Sequence, residues 1–116
     1  MVALTARMQH EFNYSDEMLA AKKLKRLDID PRNPAMGWAI DLSAQALREI
    51  IIGIGSKMDG LMMKSSFQIT VSSELMAILA VAVSLEDLRN RIAKMVIAYN
   101  KSGDPVTAAD LEVDGA

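Results

Sequence analysis

Cysteine is absent from the 116 residues, which excludes disulfides, thiolate nucleophiles and thiolate metal sites. Histidine occurs once, as His10. A serine triad needs a histidine base, and His10 beside Glu11 reads as the polar face of a first helix rather than as that base. One histidine and no cysteine also argue against a transition-metal site, so no metal ligands are assigned. Aromatic residues make up only 4% of the chain, while Met occurs nine times. The core must therefore rest on Ile, Leu, Val, Ala and Met. Three prolines and six glycines exclude a collagen-like or low-complexity chain. The net charge of −2, from 13 basic and 15 acidic side chains, supplies no electrostatic reason to bind nucleic acid or an anionic membrane. The longest apolar run, Leu75 to Val83, falls well short of the ~20 residues that cross a bilayer. No targeting segment is visible at Met1 to Asn13, and a cytoplasmic protein is expected.

What is present is an average globular composition, 51% hydrophobic and 24% charged. Val2, Ala3, Ala6 and His10 recur at helical spacing from Met1 to Glu11, with Leu4 and Met8 beside them. Ser15 followed by Asp16 and Glu17 predicts a capped helix that runs on to Leu27. Its basic residues Lys22, Lys23, Lys25 and Arg26 form either a solvated helix face or an anion site. Asp30-Pro31 and Asn33-Pro34 punctuate the stretch from Asp28 to Gly37. Asp41 or Ser43 offers a cap for a short helix through Gln45, Ala46 and Leu47. Ile50 to Gly55 has the character of a buried, glycine-ended strand, and Ser56 to Ser66 that of a loop. Met58, Met62 and Met63 in that loop are either gap-filling core or a deformable contact surface. Phe67 to Val71 alternates as a strand does. Ser73 and Glu74 open an apolar helix from Leu75 to Val83, which should be covered on both sides. Ser84, with Asp87 three residues on, starts a further helix. Met95 to Tyr99 reads as a strand, and Asn100 to Asp104 turns back into Pro105-Val106-Thr107 as a hairpin. Ala108 to Ala116 reads as loop or a helix start.

The expected fold class is α/β, a partial sheet of three or four short strands with flanking helices. Residues 1–116 are expected to make a single partial domain, with both ends cut through the architecture. Tests for chemistry are mostly negative. The phosphate loop GxxxxGK(S/T) is missing; Gly53-Ile54-Gly55-Ser56-Lys57 carries two glycines and a lysine in the wrong order. Asp28, Asp30 and Asp41 lack calcium-loop spacing. Spacing alone assigns no catalytic residue.

Four blocks add a resemblance. Phe67-Gln68-Ile69-Thr70-Val71-Ser72-Ser73-Glu74-Leu75-Met76-Ala77-Ile78-Leu79 is similar to F-D-I-T/S-V-A-S-E-I/V-M-A-I/V-L. Ser84 to Arg91 and Met95 to Tyr99 resemble a block that begins S-L-x-D and ends V-V-G/A-Y. Gly103 to Leu111 resembles G-x-P-V-T-A-x-D-L. Ala46-Leu47-Arg48 with Ile51 to Gly55 resembles A-L-R-x-I/V-V-I/V-G-L-G. In this order the blocks resemble the formate–tetrahydrofolate ligases, also called 10-formyltetrahydrofolate synthetases, over nearly the whole chain.

The resemblance implies a slice of a larger P-loop-type nucleotide-binding domain, with the phosphate loop upstream and the folate-stacking aromatics downstream. ATP, Mg and tetrahydrofolate belong to the full-length family enzyme, and none is expected on the isolated chain. The family-matched candidates are Arg48, Ser73 and Glu74; their plainer roles are to open a buried helix and to precede a strand. The chain departs from the family pattern at Ser43 to Gln45, at Met62-Met63-Lys64 and at Gln68. The expected function is that of a fragment of the ligase, not catalytic alone. A stand-alone oligomeric interaction module is the alternative. The expected partner is accordingly either the remainder of the ligase or a second copy of the chain.

Overall fold

The computed structural model describes residues 2–41, 45–55 and 59–115. Its first helix, α1 (Val2–Asn13), turns a different face inward from the one its alanines suggest. Leu4, Arg7, Met8 and Glu11 are buried, whereas Ala3 and Ala6 are exposed. The spacing of the buried four is that of one helical stripe. Two of its members are charged, which is why hydrophobicity alone does not find it.

That charged pair sets the path of the chain after α2. The Glu11 carboxylate accepts the backbone N–H groups of Leu27 (2.7 Å) and Asp28 (2.9 Å) and faces Arg7 Nε at 3.4 Å. Arg7 also donates to the Lys25 carbonyl. Arg26 donates to the carbonyls of Glu11 (2.7 Å) and Tyr14 (2.9 Å), near the end of α1 where carbonyls lack helical partners, and it pairs with Asp16. Residues 25–28 are thereby drawn onto α1 and leave the helical path. The second helix, α2 (Asp16–Ala21), consequently stops well before Leu27. Its reversal passes through Lys23 at φ 59°, with Leu24 N–H bonded to the Leu19 carbonyl at 2.9 Å. Ser15 sits at the N-cap position without a side-chain cap bond.

The stretch with two prolines is a strand, β1 (Ile29–Pro34), and not mere punctuation. It lies at the edge of a three-stranded antiparallel sheet of order β1, β6 (Val96–Asn100), β7 (Pro105–Thr107). An edge is where a strand tolerates residues that cannot donate. Ile29 pairs with Asn100 and Pro34 with Ala98, with an irregularity between. The expected β6–β7 hairpin is present. Its turn is tied by Asp104 N–H to Asn100 Oδ1 (2.7 Å) and passes through Gly103 at φ 91°.

Two smaller ribbons complete the strands. β2 (Trp38–Ala39) runs parallel to β5 (Phe67–Gln68). β3 (Ile50–Ile52) runs antiparallel to β4 (Met63–Ser65), pairing Ile51 with Lys64. The expected loop over 56–66 thus contains a strand, and the expected strand 67–71 ends early in a 3₁₀ turn, Thr70–Ser72. The class is α/β as expected, but the strands form three small sheets rather than one partial sheet. β3 is not buried: it is the outer strand of a two-stranded ribbon, with Ile51 64% exposed. Gly53 turns away from β3 at φ 80°, and a Cβ there would lie 2.5 Å from the Leu61 carbonyl oxygen. That close approach accounts for the glycine without any phosphate.

The core contains Leu4, Met8, Ile29, Met63, Met95, Ile97, Val106 and Leu111 and no aromatic ring. Met63 belongs to it, Met62 is exposed, and Met58 lies outside the described residues. Ser43, the alternative cap, also lies outside them. Asp41 Oδ1 accepts the Thr70 N–H at 2.9 Å, and Gln45–Leu47 is a 3₁₀ turn. Among the described residues no helix is long and apolar enough to cross a membrane.

The weight carried by the Glu11 carboxylate is open to measurement. Truncating one member of a buried hydrogen-bonded ion pair costs about 3–5 kcal/mol, because its partners are left unpaired. Glu11→Ala is expected to lower stability by about that amount in denaturant unfolding, with Glu11→Gln in between.

Candidate functional site

The three family-matched residues lie on two parts of the chain. Arg48 is exposed between the 3₁₀ turn and β3, where its backbone N–H meets the Gln45 carbonyl at 3.3 Å. Ser73 and Glu74 lie together at the start of helix α3 (Glu74–Val81). Ser73 is buried and its Oγ accepts the Met76 N–H at 3.3 Å, which satisfies one of the unpaired donors of the first turn. Glu74 is exposed in that first turn, where the helix dipole favours a carboxylate. Among the described residues no hydrogen bond or ion pair joins Arg48 to either of them.

Glu74 lines a crevice of about 420 Å³ between α3 and helix α4 (Leu85–Ala93), together with Ile78, Asp87, Asn90, Arg91 and Lys94. Two of these are already committed to the helix. Ser84 Oγ accepts the Asp87 N–H (3.1 Å), Asp87 Oδ2 accepts the Val83 N–H (3.2 Å), and Asp87 pairs with Arg91 at 2.9 Å. Arg91 first, and the Val83 N–H next, hold the Asp87 carboxyl below its ordinary value. The cap predicted from Ser84 and Asp87 therefore forms, with the return bond going to Val83. The crevice holds charge of both signs but no nucleophile paired with a base. His10 lies elsewhere, its ring 5.5 Å from that of Tyr14, whose face is covered by Lys22 Nζ at 4.0 Å.

A longer groove, about 660 Å³, runs along β3 and β4 between Pro31, Ile51 and Met62, with the Glu49–Lys64 ion pair (2.6 Å) beside it. Above α3 the surface is apolar. Leu75, Met76, Leu79 and Val81 are 41–56% exposed, and Val83 and Leu85 reach 89% and 84%. The expected cover on both sides of this helix is incomplete among the described residues: Ile78 packs against the core, while Leu75, Met76, Leu79 and Val81 meet solvent. The arrangement positions and caps; it does not assemble reacting groups. The buried Arg7–Glu11 pair escapes sequence reading, although an Arg and a Glu four residues apart on a helix is the available signal.

Comparison with known proteins shows what this arrangement belongs to. A family model described as formate–tetrahydrofolate ligase matches residues 1–116. A formate–tetrahydrofolate ligase of Desulfotalea psychrophila is 66% identical over 116 residues, covering 100% of this chain and 21% of that protein. One from Dehalococcoides mccartyi is 61% identical and one from Thermodesulfovibrio yellowstonii 58%, again over 100% of this chain, which covers 19% and 20% of them. The chain thus spans about a fifth of the length of these curated relatives.

Two expectations test the local chemistry. Ser84→Ala removes the cap and should lower stability by about 1 kcal/mol in chemical denaturation. Asp110 accepts the Thr107 N–H (2.9 Å) and the Thr107 hydroxyl (2.8 Å), which hold its carboxyl below the usual aspartate value. A lowered folded-state value stabilises fully above the unfolded aspartate value of about 3.9 and is lost as pH falls through the folded one. Asp110→Asn should therefore flatten the fall in melting temperature below about pH 4.

Proposed function

The chain belongs to the formate–tetrahydrofolate ligase family, and we propose that it works as scaffold inside an ATP-dependent ligase that formylates tetrahydrofolate in one-carbon metabolism. The observation that carries this reading is the family match across all 116 residues, at 58–66% identity to ligases about five times as long. Residues 1–116 form a partial domain in this reading, and the protein works in the cytoplasm.

ATP, Mg and tetrahydrofolate are used by the whole enzyme. Among the described residues no three His, Cys, Asp or Glu side chains converge to hold a metal ion. No step is routed through magnesium here. The sequence likewise contains no GxxxxGK(S/T) segment to cradle phosphates. Arg48, Ser73 and Glu74 stay the candidates for roles in the full-length enzyme. The cap bond from Ser73 supports a positioning role: it fixes where α3 begins and so where Glu74 stands.

The exposed apolar residues of α3 support a partner, either the remainder of the ligase or a second copy of the chain. The first is preferred, since relatives carry about four times as much chain again. The second keeps the alternative of an oligomeric module, and a dispersed monomer in light scattering would count against it.

Phosphoryl transfer rests on donors aimed at the phosphates, and losing a single such donor already costs about 10²- to 10³-fold. The isolated chain is therefore expected to form no 10-formyltetrahydrofolate from formate, ATP and tetrahydrofolate, while a full-length relative does so in the same assay. Turnover by the isolated chain, free of contaminating ligase and persisting after Lys57→Ala, would overturn the scaffold reading.

A further inference from the structure

Ion pairs engage most of the basic side chains among the described residues, but Lys22, Lys23 and Lys25 are not in them. These three fall within four positions of one reversal, and all are exposed, in a chain whose net charge is −2. Lys23 stands at φ 59°, at the turn-off from α2, a conformation that glycine adopts without strain. Lys22 is held over the Tyr14 ring at 4.0 Å, with His10 against the same ring.

We propose that Lys22, Lys23 and Lys25 form a docking surface for an acidic peptide segment of a protein partner. The charge complementarity is local: three closely spaced cations, without ion-pair partners among the described residues, match a few closely spaced carboxylates. A nucleic acid fits less well. The face of Tyr14 that would stack on a base is taken by Lys22, and the overall negative charge repels a long polyphosphate. This surface lies outside the α3–α4 crevice and does not depend on the scaffold reading.

The test is fluorescence anisotropy with a labelled octaglutamate peptide and the purified protein at low salt. Binding should weaken as salt rises. It should fall roughly tenfold or more in the triple variant Lys22→Gln, Lys23→Gln, Lys25→Gln, the range in which loss of complementary charge shows. Lys23→Gly supplies a second readout: relief of the left-handed backbone should raise the melting temperature while peptide binding weakens. No peptide binding at peptide concentrations on the order of 1 mM, the weak end of specific affinity, overturns the proposal. So does equal binding by the triple variant. Tighter, lysine-dependent binding of a single-stranded oligonucleotide overturns the assignment to a peptide.

Discussion

A single buried carboxylate organises the first third of the structure. An ionised side chain removed from water loses several kcal/mol of solvation unless it is returned by several donors. Glu11 receives three: the Arg7 guanidinium and the N–H groups of Leu27 and Asp28. Each donor lies on a segment whose path is fixed as a result. Asp28 takes a left-handed φ of 55° with its N–H on Glu11, while its carbonyl accepts the Lys101 N–H at 3.0 Å. Ile29 then enters the core opposite Asn100. The register of β1 on β6 is thus set from α1, through backbone bonds to one side chain, rather than by β propensity, which two prolines would spoil.

The scarcity of aromatic residues shapes the rest. No ring is buried in the core, and Met8, Met63 and Met95 take the irregular space between α1, β4 and the β6 side of the sheet. Methionine adapts to such gaps, so each element docks through few and flexible contacts. Among the described residues the buried Ser65 hydroxyl has no hydrogen-bond partner, which costs stability.

What the sequence discloses, and what it hides, depends on the range of the interactions. The caps at Ser73 and Ser84 bond three residues ahead and are visible as short patterns. The 100–104 turn closes on itself in the same way. By contrast, β1 exists because a strand more than sixty residues away pairs with it, and β4 because β3 does. No local pattern reports such partners. The inward face of α1 is hidden because alanine spacing imitates a buried stripe, while charge at Arg7 and Glu11 occupies half of the real one. The candidate residues Arg48, Ser73 and Glu74 rest on resemblance alone. The structure explains Ser73 through its cap, whereas among the described residues no side-chain partner accounts for the exposed Arg48.

Stability cannot be uniform in such an arrangement. The three-stranded sheet holds buried residues from β1, β6 and β7 beneath α1, so its hydrogen bonds are sheltered from water. The β2–β5 and β3–β4 ribbons have two strands each, a size that is marginal without further cover. α3 adds little of its own: eight residues are too few for an isolated helix in water, and most of its apolar side chains meet solvent. Exposed backbone bonds and few buried contacts mark the regions that open first. Those regions, α3 and β3, are also the ones whose composition is most apolar relative to their burial. A helix and a strand with such composition gain most from whatever covers them. The chemistry of this chain is thus unevenly finished: α1 buries its inward stripe on the sheet and pairs the charges in it, while α3 and β3 leave their apolar faces open.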